Sequence, residues 1–185
     1  MRPVSRADLV DDQTYEESRE NFRQQAMAAK AARRVHAGPY LTFLFENTLT
    51  IRYQIQEMMR TERIVRERDI QHEIETYNAV LGGPGELGCT LLIEVDDPAE
   101  RAVRLQEWYE LPAHVYARLG DGTKVFAGFA EAQRDETRVS SVQYLKFSVQ
   151  GRTPVAVGAD LPGFEVEAAL TAEQRAALAE DLTSD

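Results

Sequence analysis

Apolar or small side chains recur at Tyr15, Phe22, Ala26 and Ala29, one narrow helical stripe, and Thr14-Tyr15-Glu16-Glu17 has the T-x-x-E form of a capping box. A helix over about 15–34 is predicted, with one side on the domain and the rest solvated. Gly38-Pro39 breaks the pattern. Tyr40 to Glu46 then places aromatic and β-branched residues on both faces, which predicts a largely buried strand. From Thr48 to about Glu67 helical spacing returns, with Ile51, Ile55, Met58 and Val65 on one side. Tyr53, Glu57 and Arg60 fall on the other side, and Glu62 projects into the centre of the apolar stripe. A further helix, about Ile70 to Leu81, should bury Ile70, Ile74, Tyr77 and Leu81 and turn His72, Glu75 and Thr76 outward, and Gly82-Gly83-Pro84-Gly85 ends it as a loop.

The second half reads as strands with interruptions. Leu87 to Val95 is a strand candidate, and Asp97-Pro98-Ala99-Glu100 opens a helix to about Tyr109, with Asp as N-cap and Pro in the first turn. Val115 to Leu119 alternates, Gly120-Asp121-Gly122 turns the chain, and Lys124 to Ala130 returns as the partner of a hairpin. Glu131 to Arg138 is a polar loop, and Ser141 to Gln150 alternates again as a strand. Beyond Gly151 the chain is irregular until Thr171-Ala172-Glu173-Gln174, another capping box, starts a short helix ending near Leu182. Strands and helices do not alternate strictly, so the expected fold is a single α+β domain over residues 1–185, with a mainly antiparallel sheet packed with several helices and an N-terminal arm over 1–13.

Composition narrows the class without changing that picture. The chain has 185 residues, 43% hydrophobic and 28% charged, within the globular range. No run approaches the ~18 apolar residues of a membrane span and the N-terminus has no apolar signal region, so a cytoplasmic protein away from membranes is expected. The net charge of −10 comes almost wholly from residues after position 80, and a negative balance disfavours binding to duplex nucleic acid through phosphates. The basic exception, Lys30, Arg33 and Arg34 with His36 following, is most simply a set of cations at a helix C-terminus, with an anion or RNA contact as the alternative. Cys89 stands alone, so an internal disulfide is excluded, and within a strand it reads as a small core residue.

The strings GPYLTFLFEN (Gly38 to Asn47), YQIQEMMRTERI (Tyr53 to Ile64), HEIETYN (His72 to Asn78) and SVQYLKF (Ser141 to Phe147) resemble the bacterial family labelled domain of unknown function 3501. The likeness runs over nearly the whole chain. It carries no catalytic positions. It implies company: genes of this family often sit beside those for rubrerythrin-like di-iron proteins and iron-sulfur oxidoreductases, so a protein partner of either kind is an expectation of the resemblance.

Two polar constellations are candidates for chemistry. Glu57, Glu62, His72 and Glu75 supply hard oxygen ligands and an imidazole, the donor set of a carboxylate-rich iron or manganese site. His72 and Glu75 share a helix face, but the order is His-x-x-Glu and occurs once, where ferritin-like sites use Glu-x-x-His twice. A solvated face with a Glu62–Arg ion pair is the simpler alternative. Glu46, Asn47, Tyr53, Glu57 and Arg60 form the second set. Tyr53, Glu57 and Arg60 at i, i+4 and i+7 could clamp a small anion or a partner's carboxylate, while Asn47 as a helix cap and a Glu57–Arg60 pair are the ordinary readings. A small-molecule pocket lined by Phe43, Tyr53, Tyr116 and Phe147, with Arg60 as anion anchor, is a third idea. Neither a phosphate-binding loop nor a Ser-His-Asp order is present, and no catalytic residue is assigned. The missing fingerprints favour an accessory or binding protein without catalytic chemistry, and the resemblance implies a bacterial redox or iron-related pathway as its setting. The alternative is a metal-dependent oxidoreductase built on the two central helices.

Overall fold

The computed structural model describes residues 1–129 and 137–184. Along these the order is α1 (Asp12–Ala31), β1 (Arg34–Ala37), β2 (Leu41–Glu46), α2 (Thr48–Glu62), α3 (Glu67–Asn78), β3 (Leu87–Ile93), α4 (Pro98–Glu107) and the single turn α5 (Leu111–His114). β4 (Val115–Arg118), β5 (Lys124–Phe126), β6 (Gly128–Phe129), β7 (Val142–Phe147), β8 (Ala156–Leu161), β9 (Phe164–Ala169) and α6 (Ala172–Thr183) complete it. The fold is α+β. Every strand pairing is antiparallel, in two sheets of order β1-β2-β3-β7-β6 and β5-β4-β8-β9.

Strand alternation decides what each face does. In the first sheet Leu41, Phe43, Phe45, Cys89, Leu91, Leu145 and Phe147 point toward the second sheet and form one core with Val115, Ala117, Val157 and Ala159. Leu105 of α4 and Leu178 of α6 join that core, and Trp108 stacks on Phe164 at 4.4 Å between ring centres. The opposite face of the first sheet carries Thr42, Leu44, Glu46 and Thr90, and β2 is buried along its whole length because helices cover part of that side. A second apolar cluster forms there: Ile51, Ile55 and Met59 of α2 meet Ile70 and Ile74 of α3, with Val4 and Leu9 of the N-terminal arm. α1 packs along α2 through the edge-to-face series Tyr15–Phe22–Tyr53. None of the described helices is long and apolar enough to cross a membrane.

The structure corrects the sequence reading in five places. α1 starts earlier, because Asp11 takes the N-cap position and accepts the Thr14 amide at 3.0 Å. It also ends at Ala31, inside the basic run: Lys30 stays in its last turn while Arg34 and His36 belong to β1. α2 stops at Glu62, since Arg63 turns left-handed (φ 52°, ψ 46°) and the Ile64 amide closes the end onto the Met59 carbonyl. The apolar stripe therefore never reaches Val65, which is 80% exposed, and Glu62 lies in solvent. The strand expected from Lys124 to Ala130 is two strands in different sheets, joined at Ala127, whose amide bonds to the Val115 carbonyl. Ala130 and most of the expected loop, through Glu136, lie outside the described residues. Finally, the segment after Gly151 holds the β8–β9 hairpin, closed by Pro162-Gly163 with Leu161 opposite Phe164. Its small residues hid it: β8 needs Gly158, where an added Cβ would come within 2.3 Å of the Val166 carbonyl oxygen.

Candidate functional site

Glu46 ends β2, and alternation places it with Thr42 and Leu44 on the helix-covered face of the first sheet. The next residue, Asn47, caps α2 by accepting the Thr50 amide at 2.9 Å, and the Thr50 hydroxyl accepts the Asn47 amide in return. That cap turns the Thr50 hydroxyl toward Glu46, where it donates to Oε2 at 2.6 Å, while the Thr90 hydroxyl of β3 donates to Oε1 at 2.8 Å. Glu46 is 7% exposed and has no ion pair among the described residues.

The carboxylate lines a cavity of about 180 Å³ whose other walls include Lys30, Gln54, Tyr77, Val80 and Tyr144. It adjoins a wider, mainly apolar groove of about 540 Å³ between α3 and the β6–β7 edge, the two sharing Tyr77, Val80 and Tyr144. Phe129 and Lys146 line the far side of that groove. Volumes of ~300–1,000 Å³ are typical of small-ligand sites. Lys30, at the end of α1, holds its ammonium 5.5 Å from the centre of the Tyr53 ring, and no anion pairs with it among the described residues. Burial pushes the Tyr77 hydroxyl's pKa up, favouring the neutral donor form. Cys89 lies on the opposite face of β3, fully buried, and burial together with the Glu46 charge raises its pKa well above the ordinary thiol value. The arrangement can bind; a nucleophile beside a base is not part of it.

Of the residues proposed from sequence, Glu46, Asn47 and Tyr53 fall in or beside this site. Glu57 and Arg60 do not. The face shared by Tyr53, Glu57 and Arg60 exists, but it is turned against α1. Arg19 clamps Glu57 at 2.8 and 2.9 Å, Tyr15 donates to it at 2.6 Å, and Arg60 pairs with Glu16. The Arg19 guanidinium holds the Glu57 carboxyl below its usual pKa. The suggested metal set is likewise not assembled: Glu57 is engaged with α1, Glu62 and His72 are exposed, and Glu75 accepts from Gln71 at 3.2 Å. Among the described residues no three His, Cys, Asp or Glu side chains come together as metal ligands. The pocket suggested from Phe43, Tyr53, Tyr116 and Phe147 is not assembled: Phe43 and Phe147 are fully buried between the sheets, Tyr53 packs on Phe22 of α1, and Tyr116 is bonded to Glu167. Sequence reasoning missed Thr90, Tyr77 and Tyr144 as site residues. Alternation on β7 carried a signal for the last, because Leu145 inward places Tyr144 and Lys146 outward.

No curated protein matches the chain. Its fold is similar to that of a protein of unknown function from Burkholderia pseudomallei K96243 solved by crystallography, at a TM-score of 0.89 and 28% identity, covering 98% of this chain and 100% of that one. A family model described as protein of unknown function (DUF3501) matches residues 3–182, and the chain belongs to that family.

Proposed function

We propose that the protein is a non-catalytic binding protein that takes a small ligand with an apolar body in the groove between α3 and the first sheet. The observation that carries this is the buried Glu46 carboxylate, without an ion pair, in the small cavity that adjoins a mainly apolar groove. A few placed polar groups in a mainly apolar concavity is the general pattern of small-molecule sites. A cytoplasmic setting beside rubrerythrin-like or iron-sulfur proteins is part of the proposal and is supported by family membership alone.

The test is titration with the neutral fluorescent probe N-phenyl-1-naphthylamine, read by its own emission. The single Trp108 sits in the other core and does not report on this groove. Saturable binding is expected in the wild type and loss of it in Tyr144→Glu, which places a charge on the shared wall at a residue 44% exposed and so tolerant of substitution. Equal binding by both proteins, or none by either, would overturn the assignment.

A further inference from the structure

We infer that the ligand of this groove is a zwitterion, with an amine for Glu46 and a carboxylate for Lys30 on one apolar body, as in an α-amino acid with a large apolar side chain. This rests on the binding role proposed above and names its ligand class.

Two charges carry the inference. Among the described residues only Glu46 and Asp181 are buried carboxylates, and they are treated differently. Asp181 receives a bidentate Arg33 at 2.7 and 2.8 Å. Glu46 receives two hydroxyls and no cation, which leaves part of its acceptor capacity open toward the cavity. An ionised carboxylate withdrawn from water without a counter-charge is costly, and a cation supplied by a ligand removes that cost. Lys30 is the complement of Glu46: it lines the same cavity, makes no ion pair with it, and rests over Tyr53. A molecule that carries both signs satisfies both charges of that cavity at once. The apolar remainder of such a molecule then lies along Tyr77, Val80, Phe129 and Tyr144.

The test displaces the bound naphthylamine probe with three molecules of one carbon frame: L-phenylalanine, phenethylamine and 3-phenylpropionate. L-Phenylalanine is expected to compete about tenfold better than either singly charged analogue, the scale of one charge-assisted hydrogen bond. Glu46→Gln should bring it down to the level of 3-phenylpropionate. Lys30→Met should bring it down to that of phenethylamine, and Lys124→Met, on β5 of the other sheet, should leave it unchanged. If the probe binds but the three compete equally, or if Lys30→Met keeps the full preference, the zwitterion is wrong and the binding role stands. If the wild type does not bind the probe, the binding role itself falls. Thermal unfolding of each variant separates lost binding from lost folding, and half-buried Lys30 gives a variant that does not depend on the buried carboxylate's tolerance.

Discussion

Arg33 and Asp181, 148 residues apart, form a bidentate ion pair at 2.7 and 2.8 Å with side chains only 7% and 5% exposed, tying the end of α1 to α6. Arg33 also holds the Ala29 carbonyl, and its own carbonyl receives the Phe45 amide. One polar pair thus fixes α1, β2 and the C-terminal helix together, at the edge of the layer that walls the groove.

Breaking that pair should cost far more than replacing it. Asp181→Asn leaves a buried guanidinium without its counter-charge, and a loss of about 3–5 kcal/mol is expected in urea denaturation. Arg33→Met combined with Asp181→Leu, which removes both charges, should lie within about 2 kcal/mol of the wild type. A single variant as stable as the double one would mean that the pair is solvated in solution.

Glu57 gives a pH-dependent counterpart. Its carboxyl is held below the usual value first by Arg19, which outweighs the opposing effect of burial, with the Tyr15 hydroxyl adding a smaller lowering. A carboxyl with a lowered folded pKa contributes stability that is present above its unfolded pKa, about 4.3, and is lost as pH falls through the folded value. Glu57→Gln should therefore cost about 1–3 kcal/mol at pH 7. The gap to the wild type should narrow steadily below pH ~4. Chemical denaturation at pH 7, 5 and 3 checks it, and a gap that stays constant would remove the ion pair from the account.

Much of the fold was legible because local signals agreed with tertiary ones. Asp97 and Thr171 cap α4 and α6 as the sequence suggests, and β2, β3 and β7 alternate or fill as buried strands do. The failures share a cause. In the sequence Tyr53, Glu57 and Arg60 read as a face open to an anion or a partner's carboxylate, yet that face is the contact with α1, and a single helix pattern cannot say which neighbour a second face meets. The β8–β9 hairpin was hidden because Gly158 and the alanines that let β8 approach β9 carry little strand propensity. Glu46 was visible as a candidate residue. Its burial and the lack of a cation beside it were not, because Thr90 and Lys30 reach the same cavity from distant parts of the chain.

The end of α2 offers a stabilising change. Arg63 sits at φ 52°, ψ 46°, a conformation that costs an L-residue about 1–2 kcal/mol and a glycine almost nothing. Its side chain is exposed and pairs with no carboxylate among the described residues. Arg63→Gly should raise stability by about 0.5–1 kcal/mol, the release of the left-handed strain being partly offset by glycine's larger unfolded-state entropy. A rise in the thermal midpoint checks this, and a fall would show that the arginine side chain holds the α2–α3 corner.

Cys89 decides whether redox chemistry at the lone thiol belongs in the functional picture. It is fully buried in β3 opposite Phe45, and both burial and the Glu46 carboxylate behind the sheet disfavour the thiolate that reacts. In native buffer at pH 8, modification by 5,5′-dithiobis(2-nitrobenzoate) should therefore be limited by unfolding, accelerating with urea in step with the unfolding rate and approaching that of a free thiol only in the denatured chain. Cys89→Ala should retain ligand binding, because the thiol faces the two-sheet core while the groove lies on the other side of the strand. Rapid native labelling without urea would mean that the strand opens locally, and only then would a sensing role for this cysteine have a physical route to solvent.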